Sequence, residues 1–248
     1  MSAVVLITGA SRGIGAATAL LAARAGYAVA VNYTANSLAA DEVVRQIRQA
    51  GGNAMTVQAD VADEAQVLTM FEKVDAKLGR LTALVNNAGV VDQTSRVDAM
   101  SMARFKRMFE INVYGSFVCA REAVRRMSTR HGGTGGTIVN LSSVAARLGA
   151  PGQYVDYAAA KGAIDSFTVG LAKEVAAEGI RVNAVRPGII DTDIHASGGL
   201  PDRAREMAPQ VPMQRPGSAE EVARSILWLM SPESSYTTGT VLDVTGGR

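Results

Sequence analysis

Two tyrosines stand ahead of one lysine in the stretch YVDYAAAK, residues 154–161, and a phenol beside an ammonium is chemistry for moving a proton. A tyrosine of ordinary pKa, about 10, is a weak acid–base catalyst near neutrality unless its anion is stabilised, and a neighbouring ammonium favours the phenolate and lowers that pKa. In a helix Tyr157 and Lys161 are four apart and share a face, while Tyr154, seven before the lysine, lies on nearly the same face. At a rise of about 1.5 Å per residue the two tyrosines sit roughly 6 Å and roughly 10.5 Å from the lysine along the axis. Side chains lean toward the helix N-terminus, so Lys161 reaches back over Tyr157 while Tyr154 leans farther away. The spacing assigns the proton to Tyr157. Tyr154 is left either as a wall of a pocket or as packing against the loop before it.

A second constellation lies near the start of the chain, where TGASRGIG, residues 8–15, follows a short apolar run and opens a helical segment. Gly9, Gly13 and Gly15 let the backbone turn sharply and approach a ligand, and the helix N-terminus beyond them offers unpaired N–H groups to a pyrophosphate. The glycine spacing is G-x-x-x-G-x-G. Alone, such a turn is also compatible with a tight strand-to-helix connection; its place after a first strand favours the nucleotide reading.

Both constellations need a frame to bring them together. Runs at 3–8, 28–33, 54–59, 83–87, 136–142, 180–185 and 240–245 are rich in valine and isoleucine and read as strands. Between them, segments near 14–25, 37–50, 64–78, 101–130, 153–178 and 218–230 read as helices. Continuous apolar strands imply a sheet covered on both faces, and strand–helix alternation implies parallel pairing through right-handed crossovers. The expected fold is a doubly wound α/β sandwich in one domain spanning residues 1–248. The one long irregular stretch runs from Pro187 to Gly217, and a substrate lid is expected around 189–216.

Composition excludes several function classes. With 25 basic and 23 acidic residues the charge is too balanced to advertise a nucleic-acid or membrane surface. The densest basic run, Arg121, Arg125, Arg126 and Arg130, falls late in an expected helix, where cations complement the negative dipole end and face water. A single cysteine, Cys119, makes no internal disulfide and fits a reducing, cytoplasmic setting. The N-terminal MSAVVLITGASRG carries neither the basic region of a signal peptide nor a run long enough to cross a bilayer. His131 and His195, with that one cysteine, form no metal-ligand pattern, so no metal is expected, although His195 falls in the lid segment and is placed to meet substrate.

TGASRGIG, NNAG at 86–89 and Tyr157-x-x-x-Lys161, in this order, resemble the short-chain dehydrogenase/reductase superfamily, with 3-oxoacyl-carrier-protein reductases and bacterial sugar dehydrogenases nearest. The resemblance covers essentially the whole chain and implies a seven-stranded Rossmann-type domain that binds NAD(H) or NADP(H) and moves a hydride between nicotinamide and a carbonyl or secondary alcohol. It implies that Ser143 holds the substrate oxygen, that Lys161 also grips the nicotinamide ribose, and that Asn112 holds a relay water. Ser142 rivals Ser143, and the family pattern favours the second serine. For the nucleotide it implies Gly9, Ser11, Arg12, Gly13, Ile14 and Gly15 at the turn and Asn32, Tyr33 and Thr34 at the second strand's end. Asp60 and Val61 flank the adenine, Asn87, Ala88 and Gly89 line the cleft, and Pro187, Gly188, Ile190 and Thr192 lie toward the nicotinamide. It further implies a homotetramer built on the segments 101–130 and 153–178. The Ser143–Tyr157 spacing, fourteen residues, is one longer than is common in the family, which places an inserted residue around Gln153–Asp156.

Cofactor choice rests on the second strand. It ends Val31-Asn32-Tyr33-Thr34 and the next acid is Asp41, so the carboxylate that would hold the ribose hydroxyls and repel a 2′-phosphate is missing. Arg12 offers that phosphate a fork of donors, with Asn32 and Thr34 as neutral contacts. NADP(H) is therefore expected over NAD(H). The rival readings are an NAD-linked alcohol or sugar dehydrogenase and, from another class, a non-catalytic nucleotide-sensing module.

Overall fold

The computed structural model describes residues 3–193, 198–200 and 202–248. Its centre is a seven-stranded, all-parallel sheet of β1 (Val4–Ile7), β2 (Ala28–Tyr33), β3 (Ala54–Gln58), β4 (Ala83–Asn86), β5 (Gly136–Leu141), β6 (Ile180–Pro187) and β9 (Val241–Val244), in the order β3-β2-β1-β4-β5-β6-β9. Register pairs such as Leu6 with Ala30 and Leu6 with Leu84 place β1 in the interior of the sheet, where the strand order reverses. In open α/β sheets the crevice beyond the strand C-termini at that reversal is where ligands bind.

Side chains of β1 alternate between the two faces. Val4 and Leu6 join one core with α3 (Glu64–Leu78), α5 (Gly115–Met127) and α7 (Val155–Val175), which contribute Met70, Phe71, Ala123, Met127 and Val175. Val5 and Ile7 join the other, with α1 (Gly13–Arg24), α2 (Ser37–Gln49) and the C-terminal helix α9 (Ala219–Met230), through Ala22, Ile47, Ile226 and Leu229. Each fully buried side chain of this size contributes about 1.5–3 kcal/mol of transfer free energy, which is why the strands carry near-continuous apolar runs. Four helix starts are written into the sequence: the side chains of Asn36, Asp63, Ser101 and Ser218 accept backbone N–H groups at the starts of α2, α3, α4 (Met102–Phe109) and α9.

Three expectations are corrected. The segment 101–130 is not one regular helix: α4 passes through a π-helical turn, Glu110–Tyr114, into α5, which ends at Met127. The described residues between Pro187 and Gly217 hold more regular structure than the prolines suggest: a two-stranded parallel pair, β7 (Ile190–Asp191) with β8 (Gly217–Ser218), and a short helix α8 (Arg203–Met207), while residues 194–197 and 201 lie outside the described residues. His195 lies outside the described residues. The basic run does not simply face water: Glu122, with its side chain 5% exposed, receives Arg121, Arg125 and Arg126, and Arg126 also pairs with Asp75 and lies over the Phe71 ring. The buried carboxylate in the middle of the run draws Arg126 inward, while Arg121, Arg125 and Arg130 stay exposed. Cys119 is free and buried, its thiol pushed up to about 12 by desolvation.

Candidate active site

The nucleotide end is built by the turn after β1. Gly9 and Gly13 adopt φ of +60° and +55°, a region that favours glycine. Gly15 is required for a different reason: a Cβ there would lie 2.5 Å from Asn87 Nδ2 and 2.6 Å from the Gly9 carbonyl oxygen. Asn87 uses that amide to stitch the loop after β4 to the turn, donating to the carbonyls of Thr8 and Gly9, while Ala88 N–H donates to Thr8 Oγ1. No side chain caps α1 at Arg12, and no acid stands in its first turn. Its leading N–H groups are therefore oriented for an anion, and the turn fits a dinucleotide pyrophosphate.

Asn32 takes a different role from the one expected. It is 1% exposed, its Oδ1 accepts the Gly9 N–H at 3.1 Å, and its Nδ2 donates to the carbonyls of Val57 and Ala59. With its amide committed internally it braces the glycine turn and has no donor to spare for a phosphate. Tyr33 packs at the edge of the core, whereas Arg12 and Thr34 are exposed at the rim and Ser11 is half-buried in the turn. Asp60 accepts Ala62 N–H through Oδ1, and Val61 is buried so closely under α5 that a Cβ on Gly115 would meet its Cγ2 at 2.7 Å.

Ten of the expected residues line one cleft of about 490 Å³: Ile14, Asn87, Gly89, Ser143, Tyr157, Lys161, Pro187, Gly188, Ile190 and Thr192. Pro187 and Gly188 are fixed at the end of β6 by backbone bonds to Val144 and Val244. Thr192 stands across from the glycine turn, its Cγ2 3.5 Å from the place a Gly13 Cβ would take.

Ser143 and Tyr157 line the cleft together, and the Ser143 hydroxyl favours the phenolate, opposing the effect of burial. Ser142 does not compete: it is 4% exposed and its hydroxyl donates to the Lys161 carbonyl at 3.3 Å. Lys161 Nζ lies 5.6 Å from the centroid of the Tyr157 ring and donates to the Leu141 carbonyl at 2.7 Å. Tyr154, in contrast, caps α7 at its N-terminus, lines the cleft, and carries the Arg203 guanidinium over its ring at 5.2 Å. It is thus both pocket wall and packing surface.

The expected lowering of the Tyr157 pKa is not found. Burial pushes the phenol up to about 12, against the opposing hydrogen bond from Ser143, and pushes Lys161 down to about 8, against the opposing charge of Asp165. Desolvation outweighs the ammonium because Lys161 is itself 4% exposed and turned toward a backbone carbonyl.

Asn112 sits in the π-helical turn, fully buried, with Nδ2 donating to the carbonyls of Val90 and Met108 and Oδ1 accepting Val90 N–H. It lies close behind Lys161: a Cβ on Gly89 would lie 2.8 Å from Asn112 Oδ1 and 3.5 Å from Lys161 Nζ. In the loop 149–153, just before α7, Ala150 takes a left-handed φ of +44° while its carbonyl accepts the Gln153 and Tyr154 N–H groups.

Sequence reasoning passed over the residues that hold these pieces still. Arg104 forms a bidentate pair with Asp156, next to Tyr157, and donates to the Gln93 carbonyl at 2.6 Å. A charged residue directly before the reactive tyrosine was the available signal. Asn86 donates to Asn140 and Asn140 to Thr168, a buried polar chain linking β4, β5 and α7, announced only by asparagines inside apolar strands.

The comparisons agree with this geometry. A family model described as enoyl-(acyl carrier protein) reductase matches residues 9–248. An uncharacterized oxidoreductase, YgfF, from Escherichia coli (strain K12) is 56% identical over 99% of this chain and 100% of its own length. A 3-oxoacyl-[acyl-carrier-protein] reductase of Synechocystis is 40% identical over 98% of this chain and 96% of its own. Cis-4-hydroxycyclohexanecarboxylate dehydrogenase of Sinomonas cyclohexanicum is 41% identical over 98% and 95%. A double mutant of a Serratia marcescens short-chain dehydrogenase/reductase superposes with a TM-score of 0.90 at 33% identity, covering 99% of this chain and 97% of that one. The fold and site define a Rossmann-type oxidoreductase acting between CH–OH and C=O. The chain belongs to the short-chain dehydrogenase/reductase superfamily.

Proposed function

We propose that the protein is an NADP(H)-dependent reductase of ketones and, in reverse, a dehydrogenase of secondary alcohols. One observation carries this reading: Ser143, Tyr157 and Lys161 line one cleft, with Lys161 Nζ 5.6 Å from the centroid of the phenol ring, and that cleft begins under the glycine turn. When bound, the nicotinamide supplies or accepts the hydride. Ser143 orients the substrate oxygen by donating to it, and Tyr157 delivers the proton to that oxygen or withdraws it. The Lys161 ammonium stabilises the phenolate left behind and holds the nicotinamide ribose, and Asn112 connects Lys161 to a relay water.

For the nucleotide, the Gly9–Gly15 turn and the start of α1 hold the pyrophosphate, Asp60 and Val61 flank the adenine, and Asn87–Gly89 line the ribose side. Ile190 and Thr192 hold the carboxamide beyond Pro187 and Gly188. Arg12 and Thr34, both exposed at the rim, take the 2′-phosphate, and Asn32 acts behind them by fixing the turn. The segment 189–216 is the lid over a small carbonyl or alcohol substrate. Acyl-carrier-protein reductases and an alicyclic alcohol dehydrogenase among the relatives support that substrate chemistry. A pure nucleotide sensor has no use for the Ser143–Tyr157–Lys161 cluster.

Assembly is proposed as a homotetramer through α5 and α7. Phe117 and Phe167 stack with centroids 3.7 Å apart in a groove between the two helices, and Phe117 is 43% exposed. Among the described residues no helix is long and apolar enough to cross a membrane, and the protein is proposed to work in the cytoplasm. The direct test is a panel of ketones and secondary alcohols assayed by nicotinamide absorbance with NADPH and NADH in parallel. Turnover with NADPH at the higher kcat/KM is expected; a clear preference for NADH overturns the cofactor assignment, and no turnover with either overturns the enzyme reading.

A further inference from the structure

The substrate half of the cleft has an electrostatic character that the reaction alone does not require. Beyond Lys161 its described lining includes a second side-chain cation set on the interior wall, Arg203, and no aspartate or glutamate. The remaining walls there are apolar, among them Val91, Val144, Leu148 and Pro151. A concave, low-dielectric surface lined by one sign of charge concentrates the opposite sign.

Arg203 is held in an unusual way. Its Nη2 donates to Gln153 Oε1 at 2.6 Å and its Cζ lies 5.2 Å over the Tyr154 ring, so both of its contacts are uncharged. Among the described residues it forms no ion pair, although its neighbour Arg205 pairs with Asp202 and Arg215 pairs with Glu221. A half-buried guanidinium fixed by an amide and a ring keeps most of its five N–H donors free, and their planar fork matches a carboxylate. Tyr154 stands three residues before Tyr157, about 4.5 Å along the helix axis. The fork is therefore set back from the proton-transferring hydroxyl by a distance on the order of one to two helical turns.

We propose that Arg203 binds a carboxylate of the substrate, so that the protein acts on oxo acids and hydroxy acids whose reacting carbon is separated from the acid group by an apolar linker or ring. This rests on the oxidoreductase reading above and names its substrate class. Arg203 belongs to α8 while Gln153 and Tyr154 lie at the start of α7, so a bound carboxylate would be held where those two helices meet.

The experiment compares a series of aliphatic and alicyclic oxo acids with their methyl esters, using the unmodified protein, Arg203→Met and Arg203→Lys. The unmodified protein is expected to prefer the acid over its ester by on the order of 10–100-fold in kcat/KM, the size of hydrogen bonds to a charged group. Arg203→Met should abolish the preference, mainly by raising KM for the acid, with ester turnover within about threefold of its original value, and Arg203→Lys should restore part of it. Equal kcat/KM for acid and ester in the unmodified protein, or a loss in Arg203→Met that is the same for both, overturns the proposal. Turnover of neutral ketones with no turnover of any oxo acid also overturns it and leaves the oxidoreductase reading standing. Only a failure to turn over every carbonyl compound with either nicotinamide overturns both.

Discussion

Replacing Arg104 by methionine should cost about 3–5 kcal/mol of unfolding free energy at pH 7, the range for removing one partner of a buried pair. The pair is well shielded, with side-chain exposures of 10% for Arg104 and 1% for Asp156, and closes through Nε–Oδ2 at 2.7 Å and Nη2–Oδ1 at 3.2 Å. Without the guanidinium the carboxylate faces protein with almost no access to water. A double variant, Arg104→Met with Asp156→Leu, should recover most of the loss, since a packed apolar pair needs no counter-charge. Urea denaturation at fixed protein concentration measures all of this, with an expected thermal shift of roughly 6–20 °C for the single variant at pH 7. A cost below about 1 kcal/mol at pH 7, or a double variant no more stable than the single, would show that the pair is not what anchors Tyr157's helix to the segment ending at Gln93.

Four further outcomes are expected. Tyr157→Phe should lose on the order of 10²-fold or more in kcat while keeping its fold and nucleotide binding, and Tyr154→Phe should lose far less; the reverse order would refute the assignment of the proton. Burial holds Lys161 at about 8 in the folded protein against 10.5 for an ordinary lysine, so between those values the unfolded chain binds the extra proton and stability rises with pH. That rise, up to ~3 kcal/mol, should be missing in Lys161→Met, and parallel stability–pH curves for the two proteins would contradict it. Arg12→Ala should weaken NADPH by about 1–3 kcal/mol and NADH much less, read by titration of each nucleotide; equal weakening refutes the phosphate contact. Phe117→Arg should lower the mass of the proposed homotetramer in light scattering without loss of secondary structure, and a mass the same as that of the unmodified protein would remove the α5–α7 groove as the interface.

The seven strands fell within a few residues of their expected bounds because a parallel sheet buried on both faces writes a local signature: Val4 to Ile7 are all buried, two on each side. The glycine turn and the Tyr157–Lys161 pair were legible for the same reason, being set by spacing within one element. What escaped depends on partners far away in sequence. Ile190 pairs with Gly217, across a span with no periodicity of its own. Asn32 looks like a rim residue until the carbonyls of Val57 and Ala59 close on it. The Tyr157 phenol is governed by how much water surrounds it, a property of the whole cleft, and so the sign of its shift was misjudged from the lysine alone.

The π-helical turn between α4 and α5 is where the chain stores one extra residue. At Glu110–Tyr114 the ladder takes one residue more per turn, closed by the Gly115 N–H on the Glu110 carbonyl. Because the widened turn absorbs that residue, the helices on either side keep the faces that seat Arg104 on Asp156 and Gly115 on Val61. Deleting one residue there would close a regular turn with both of those contacts still in register, and what it would take away is the widened turn from which the Asn112 amide reaches the carbonyls of Val90 and Met108.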